Sequence, residues 1–390
     1  MRYLQQVNLD NSGKKALIKN FFRFLIFIVC LILVEQTRAQ ADLPYILDPS
    51  SSDVMISTLN IKGPLDFCGE PVPLDNQEVR ERLEKELLVT LWNRPQIILW
   101  MKRSGRYMSF IEEILKQNNM PDDLKYLAII ESSLISHVSS SKGAKGYWQF
   151  MEETGKKYGL KVNNDIDERR NFFSSTRAAV SYLKKLYVDF GSWTLSAAAY
   201  NMGEEGLNTE ILVQKENNYY NLYIPVETQQ YIFRVITAKM ILSNPEKFGF
   251  KLSKEDIYTP LQFELVDLMC DQDTPISIVA QAAKTYFKVI KDLNPEIRGH
   301  YLVKGRHVLL IPPGSAEGFQ ARYEDLLKKW LAESKEHTYV VKKGETLASM
   351  AARFNVPVQA ILIWNNLGTK KHVKPGDRLF IFPSEEKSKK

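Results

Sequence analysis

The sequence predicts a mainly α-helical protein that closes on two small modules of βααβ order, the first divergent from the second. Three observations carry this reading. From about Gln77 to Phe250 apolar residues recur at helical spacing with few strand signals. Beyond Phe250 the period changes to short strands flanking short helices. The spacing from Asn294 to Pro312 is identical to that from Asn365 to Pro383, so one module is present twice. A chain of 390 residues exceeds a single domain of about 150, and its pattern divides it accordingly.

In chain order, Lys14, Lys15, Lys19 and Arg23 precede an apolar run from Phe24 to Val34, and Thr37-Arg38-Ala39 offers small residues at cleavage spacing. Residues 1–39 therefore read as a secretory signal peptide, because the run is short for a membrane span. Cys30 lies inside that run behind Val29, which is not small, and this argues against a lipoprotein cleavage site. Residues 40–76, rich in Pro, Asp and Ser, read as an extended lead-in to the helical domain at 77–250. The modules are placed at 258–313 and 338–383, with a charged helix-like linker at 314–337 and a basic tail at 384–390.

Of the formal net charge of +6, the leader accounts for +4, leaving about +2 on the remainder and no case for nucleic acid. Beyond the leader only Cys68 and Cys270 remain, an even number that permits a disulfide in an oxidising compartment without establishing one. The five histidines are scattered, with no pair at metal-ligand spacing and no phosphate loop, so no metal or organic cofactor is implied.

The most informative residue is Glu131. A helix is expected from Asp122 to about Leu134, opened by Pro121, and Leu124, Leu127, Ala128 and Glu131 share one face of it. A carboxyl on an apolar face is held protonated by desolvation and can donate a proton. Taken alone, a helix glutamate more often turns to solvent. The serine- and glycine-rich stretch Ser139 to Gly146 follows, and then Tyr147-Trp148-Gln149-Phe150-Met151, offering close backbone approach, a flat apolar wall and an amide to a sugar.

Five motifs stand in order: Glu131-Ser132, Ser140 nine residues on, Gly146-Tyr147-Trp148-Gln149, Ala199-Tyr200-Asn201-Met202-Gly203, and Pro225-Val226-Glu227-Thr228-Gln229-Gln230-Tyr231. In this register, from about Asp66 to Leu242, the chain resembles the lysozyme-like lytic transglycosylases, and most of all the membrane-bound lytic murein transglycosylase D family. The resemblance implies cleavage of the β-1,4 bond between N-acetylmuramic acid and N-acetylglucosamine, with one glutamate acting first as acid and then as base. It implies Glu131 as that residue, Ser140 at the substrate acetamide, Gln149 at the sugar or the glutamate, and Met151 on the cleft wall. Tyr200 and Asn201 would form the cleft floor, with Glu227 and Tyr231 in support. Read by themselves, Tyr200 suits a core tyrosine and Glu227 a helix-dipole partner. Asp165 and Asp167 are left as loop or capping residues.

The second βααβ module resembles a lysin motif, which implies a glycan groove formed by Gly344, Glu345, Thr346 and Leu347 with Asn365, Asn366 and Leu367 opposite. Thr346 is equally a helix cap and Leu347 a core residue. In the first module Gln272 stands where the second has Gly344, which puts its sugar binding in doubt. The expected activity is a peptidoglycan lytic transglycosylase of the periplasm or cell envelope, with glycan strands as its partner and possible peripheral association with the envelope. A lysozyme- or chitinase-type hydrolase and a non-catalytic wall-binding protein are the alternatives.

Overall fold

The computed structural model describes residues 61–367 and 372–382. The expected leader and basic tail lie outside them. Among the described residues no single helix is long and apolar enough to cross a membrane.

Residues 61–76, expected as an extended lead-in, are instead part of the helical core. Ile61, Phe67, Val72 and Leu74 are buried in it, around a hairpin of β1 (Asp66–Phe67) and β2 (Glu70–Pro71). The first helix, α1 (Gln77–Trp92), is capped by the Asn76 side chain and buries Val79, Leu83, Leu87 and Leu91 along one stripe. Helix α2 (Arg94–Gln117) follows after one residue, with Pro95 in its first turn. The helix expected from Asp122 begins as a 3-10 turn (Asp122–Leu124) and continues as α3 (Lys125–Ser132), stopping two residues short of the expected end. Ser133 and Leu134 both take left-handed φ, +55° and +59°, and end it.

Short α4 (Glu152–Lys157) leads to α5 (Phe172–Phe190), α6 (Trp193–Met202) and α7 (Glu204–Gln214). Helix α8 (Val226–Ser243) is the centre of the domain, packing on α1, α3 and α6. The start of α6 is held by the hairpin: the Glu70 carboxylate accepts from Thr194 N at 2.9 Å, Thr194 Oγ1 at 2.6 Å and Ser192 Oγ at 2.8 Å. An acidic group at a helix N-terminus satisfies orphan N–H groups and meets the positive end of the dipole.

The C-terminal modules share the expected βααβ core, to which the first adds a second short strand pair. The first has β3 (Glu264–Cys270), β4 (Thr274–Pro275), α9 (Ile276–Ala282), α10 (Phe287–Leu293), β5 (Tyr301–Leu302) and β6 (Gly305–Ile311), with β3 antiparallel to β6 and β4 to β5. Helix α11 (Phe319–Glu336) follows, and then β7 (Thr338–Val340), α12 (Leu347–Arg353), α13 (Val358–Trp364) and β8 (Arg378–Phe380), with β7 antiparallel to β8. The duplication extends to side chains. Asn294 donates to the Ile290 and Leu310 carbonyls and accepts from Leu310 N; Asn365 donates to the Ile361 and Phe380 carbonyls and accepts from Phe380 N. Each asparagine thereby ties the end of the module's second helix to its closing strand. Removing Asn294, which is fully buried, strands those backbone groups, so Asn294→Ala is expected to cost about 2–3 kcal/mol. A denaturant titration that finds the variant within 0.5 kcal/mol of the parent, a margin typical of surface changes, would contradict that role.

Helix α11, expected as a linker, is docked: Phe319 and Tyr323 are buried in the first module's core, and Trp330 meets Phe380 of the second. Cys68 and Cys270 are both free thiols, the first packed against the core of the helical domain and the second buried in the module.

Candidate functional site

Glu131 stands at the end of the buried stripe Leu124, Leu127 and Ala128, on the last turn of α3. It remains partly open to solvent. Its carboxyl Oε1 accepts from Tyr231 Oη at 2.6 Å, across from α8. Desolvation pushes the Glu131 pKa up from 4.5 to about 7; the Tyr231 hydrogen bond opposes the rise, and the charge of Glu227, one turn earlier on α8, adds to it. Burial and the adjacent Glu131 charge hold the Tyr231 phenol far above its ordinary value, so it remains a donor.

Three non-glycine residues around this corner hold left-handed φ: Ser133, Leu134 and Gln149, the last at +48°. Each such residue costs on the order of 1–2 kcal/mol, and surrounding bonds must hold it. Ser133 Oγ accepts from Gln96 Nε2 at 2.8 Å and Trp100 Nε1 at 3.0 Å, while Arg103 donates to its carbonyl at 3.1 Å. Ser132, the second residue of the Glu-Ser pair, is buried and donates to the Tyr147 carbonyl at 2.7 Å, fastening the following loop to the helix of Glu131. Local spacing does not mark these roles, because Gln96, Trp100, Arg103 and Tyr147 all come from distant segments.

The loop folds back on itself through bridges Ser139 to Lys145 and Lys145 to Phe150. Gly146 at its centre has φ +83° and lies against the Arg169 backbone. Arg169 is buried, with Nε and Nη2 each 2.8 Å from the two oxygens of Asp167, and it also donates to the Gly143 and Phe150 carbonyls. Burial would raise the Asp167 pKa, but the Arg169 guanidinium more than offsets it and holds the carboxyl below its usual range. Asp167, expected as a loop or capping residue, makes no cap hydrogen bond with its side chain and is instead one half of the buried ion pair that fixes the loop.

The other expected residues fall into two groups. Gln149 donates to the Gly146 and Val138 carbonyls at 2.8 and 3.2 Å, which orients its amide within the loop. Ser140 is exposed and its Oγ accepts from Ala144 N at 3.0 Å; Met151 is 45% exposed beside them. Tyr200 Oη donates to the Trp148 carbonyl at 2.7 Å, close enough to Glu131 for that charge to raise its phenol after burial has done so. Asn201 Oδ1 accepts from Thr228 Oγ1 at 2.8 Å, joining α6 to the first turn of α8. Glu227 is exposed, 3.9 Å from the Lys142 ammonium of the loop. Trp148, expected as a sugar-facing wall, is instead fully buried with its Nε1 on Thr176 Oγ1 at 3.0 Å.

In the second module most expected groove residues are engaged by the fold. Glu345 accepts from Tyr339 Oη and Lys342 N, Thr346 caps α12, and Leu347 and Leu367 pack against the module core. Gly344 supplies a positive φ of +86° to the turn. Asn365 makes the strand tie described above, and Asn366 donates to Asp273 of the first module at 2.9 Å. Gly344, Thr346 and Asn366 are the exposed members. In the first module Thr274 is fully buried beneath Tyr323, so α11 covers the corresponding edge.

Residues 108–223 match the family model described as the transglycosylase SLT domain, and residues 339–382 match the LysM domain. The chain is 29% identical over 332 residues to membrane-bound lytic murein transglycosylase D of Escherichia coli K12, covering 81% of this chain and 72% of that protein. Among solved structures, an inactive mutant of the lytic transglycosylase Slt from Pseudomonas aeruginosa aligns at 17% identity and TM-score 0.31, over 48% of this chain and 36% of that one. The 70 kDa soluble lytic transglycosylase of Escherichia coli aligns at 16% identity and TM-score 0.32, over 59% and 47%. The chain thus spans less than half the length of either solved protein, and the assignment rests on the sequence matches and on the motifs around Glu131. The chain carries a transglycosylase SLT domain that contains Glu131 and a LysM domain at 339–382, and over most of its length it is similar to a membrane-bound lytic murein transglycosylase.

Proposed function

We propose that the protein cleaves the peptidoglycan glycan strand at the bond between N-acetylmuramic acid and N-acetylglucosamine, with Glu131 as acid and then base, leaving a 1,6-anhydromuramyl end. The observation that carries this is a single half-buried carboxyl brought to about 7 by its surroundings and held by Tyr231 at 2.6 Å. Such a group is protonated often enough near neutrality to donate, and basic enough afterwards to accept.

In the first step the Glu131 proton passes to the glycosidic oxygen as the C1–O bond breaks, and the substrate's own acetamide oxygen takes up the positive charge at C1. The ionised Glu131 is then stabilised by the Tyr231 hydroxyl. In the second step the muramyl C6 hydroxyl attacks C1, the acetamide leaves, and Glu131 takes the hydroxyl proton back. No water enters. A double-displacement glycosidase would need a second carboxylate about 5 Å away as nucleophile. Glu227 is the carboxylate whose charge reaches Glu131, and it is turned to solvent and Lys142.

In this reading Ser140, Gln149 and Met151 would meet the substrate from the loop side, and Tyr200 and Asn201 from α6, with Glu227 and Tyr231 of α8 in support. The LysM domain holds the enzyme on the polymer and raises the local concentration of strands. The leader read from residues 1–39 supports a location in the periplasm or cell envelope.

The test is the pH dependence of kcat/KM. Activity is expected to fall as pH rises through about 7, where protonated Glu131 is lost. Tyr231→Phe removes a bond that favours the ionised carboxyl, so that limb should move to higher pH. A limb that stays in place, or moves down, would separate Glu131 from the acid step.

A further inference from the structure

The first module does not hang free of the catalytic domain. Ile166 forms a bridge with Ile297, Asp167 N donates to the Glu296 carbonyl at 2.8 Å, and Arg298 N donates to the Asp165 carbonyl at 2.8 Å. Beside this seam lies a cavity of about 350 Å³ whose wall is shared by the two domains. Its catalytic-domain side is formed by Tyr107, His137, Tyr147 and Arg170, and its module side by Lys291 and Arg298. Tyr107 and Tyr147 form an aromatic floor, their rings 5.3 Å apart.

Three cations face this space. The Arg170 Nε is buried and has no hydrogen-bond partner. Arg298 uses one nitrogen on the Asn163 carbonyl at 3.0 Å, and Lys291 is steadied by the carbonyls of Ile297 and Gly299. The lining carboxylate, Asp292, is drawn to Lys288 one turn back on α10. Glu296, buried next to the seam and outside the lining, sets its charge against Lys291 and has one carboxylate oxygen without a hydrogen-bond partner, so Arg170 and Arg298 are the cations left for a ligand. A cavity with an aromatic floor, a cationic wall and an unpartnered guanidinium N–H suits a carboxylate on a short organic chain.

Its position narrows the ligand. His137 is six residues from Glu131, and so no more than about 22 Å from it along a fully extended chain. A peptide of four or five residues spans roughly 14–18 Å. Peptidoglycan carries acidic peptides of that length on its muramyl units, and a muramyl unit held beside Glu131 brings its peptide within that reach. We propose that this interdomain pocket binds the carboxylate of the peptide stem on the strand being cleaved, so that the first module completes a peptide-reading site. The proposal rests on the transglycosylase reading above and names a second part of the same substrate.

The full-length chain bearing Glu131→Gln, titrated calorimetrically with a synthetic stem tetrapeptide, should bind it. Binding should weaken about tenfold or more when Arg170→Gln or Arg298→Gln is added, and similarly when the peptide carboxylates are amidated. In the active enzyme Arg170→Gln should raise KM about tenfold on stem-bearing strands and leave it unchanged on strands stripped of peptide by an amidase. Equal binding of the amidated peptide, binding of inorganic phosphate alone, or an equal KM change on both substrates would overturn the proposal. If the parent cleaves neither substrate while peptide binding persists, the transglycosylase reading fails and the pocket stands.

Discussion

Glu131→Gln is expected to abolish release of soluble fragments from peptidoglycan, by about 10³-fold or more, while binding to intact sacculi is unchanged. General acid–base catalysis by one group contributes roughly 10²–10⁴, and here one side chain serves both steps, so nothing remains to carry either of them. The substitution keeps shape and an acceptor oxygen for Tyr231, which lets the loss be read as chemistry. It also carries a stability signature. The folded-state pKa of Glu131 lies at about 7, above the ordinary 4.5, so its protonated form favours the fold. That contribution is fully present below about 4.5 and is lost as pH rises through about 7. Glutamine does not titrate, so the variant should gain in Tm relative to the parent between those pH values and hold that gain at pH 8. A variant that melts below the parent at pH 8, or that still releases fragments at a tenth of the parental rate, would remove Glu131 from its assigned place.

Gly146→Ala should disable the enzyme without touching a catalytic group. An ideal Cβ at this position would lie 1.7 Å from the Arg169 carbonyl oxygen and 2.5 Å from its carbon, in a backbone of φ +83°. The obstacle is backbone, and it cannot swing aside because the Arg169 side chain is fixed to Asp167 and to two loop carbonyls. Either the loop that carries Gln149 moves, or the buried ion pair opens. A cost of at least about 3 kcal/mol is expected, equivalent to a Tm drop of roughly 6–12 °C for a domain of this size. Gly143→Ala is the control: its φ is +90° but nothing lies within 4 Å of the added carbon, so the cost should be about 1–2 kcal/mol. Equal stabilities for the two variants would show that close approach at Gly146 does not organise the site.

What could be read from the sequence was what is local. The period of Leu124, Leu127, Ala128 and Glu131 placed the carboxyl on a buried stripe, and the stripe is observed. The change of period after Phe250 marked the βααβ modules, and the matched positions of Asn294 and Asn365 reflect one shared structural task. What stayed hidden depends on partners far along the chain. The bond from Tyr231 to Glu131 joins residues 100 apart, and Glu70 caps a helix more than 120 residues away. Trp148 lies in a motif that suggests a sugar platform, yet its ring fills the core while its carbonyl takes the Tyr200 hydroxyl. Charge along 314–337 suggested a solvated linker, but Phe319, Tyr323 and Trp330 make one face of that helix an anchor for both modules. In the second module Glu345 and Asn365 have the look of polar groove residues. Their hydrogen bonds are already committed to the fold, which leaves Gly344, Thr346 and Asn366 as the exposed positions.

The most direct test of the central claim is digestion of purified peptidoglycan in water enriched in ¹⁸O, with mass spectrometry of the released muropeptides. Ring closure by the C6 hydroxyl consumes no water, so the new muramyl ends should be 1,6-anhydro, lighter by one water than reducing ends, and free of label. Reducing ends carrying ¹⁸O at C1 would mean that water attacks the anomeric carbon and that the protein is a hydrolase.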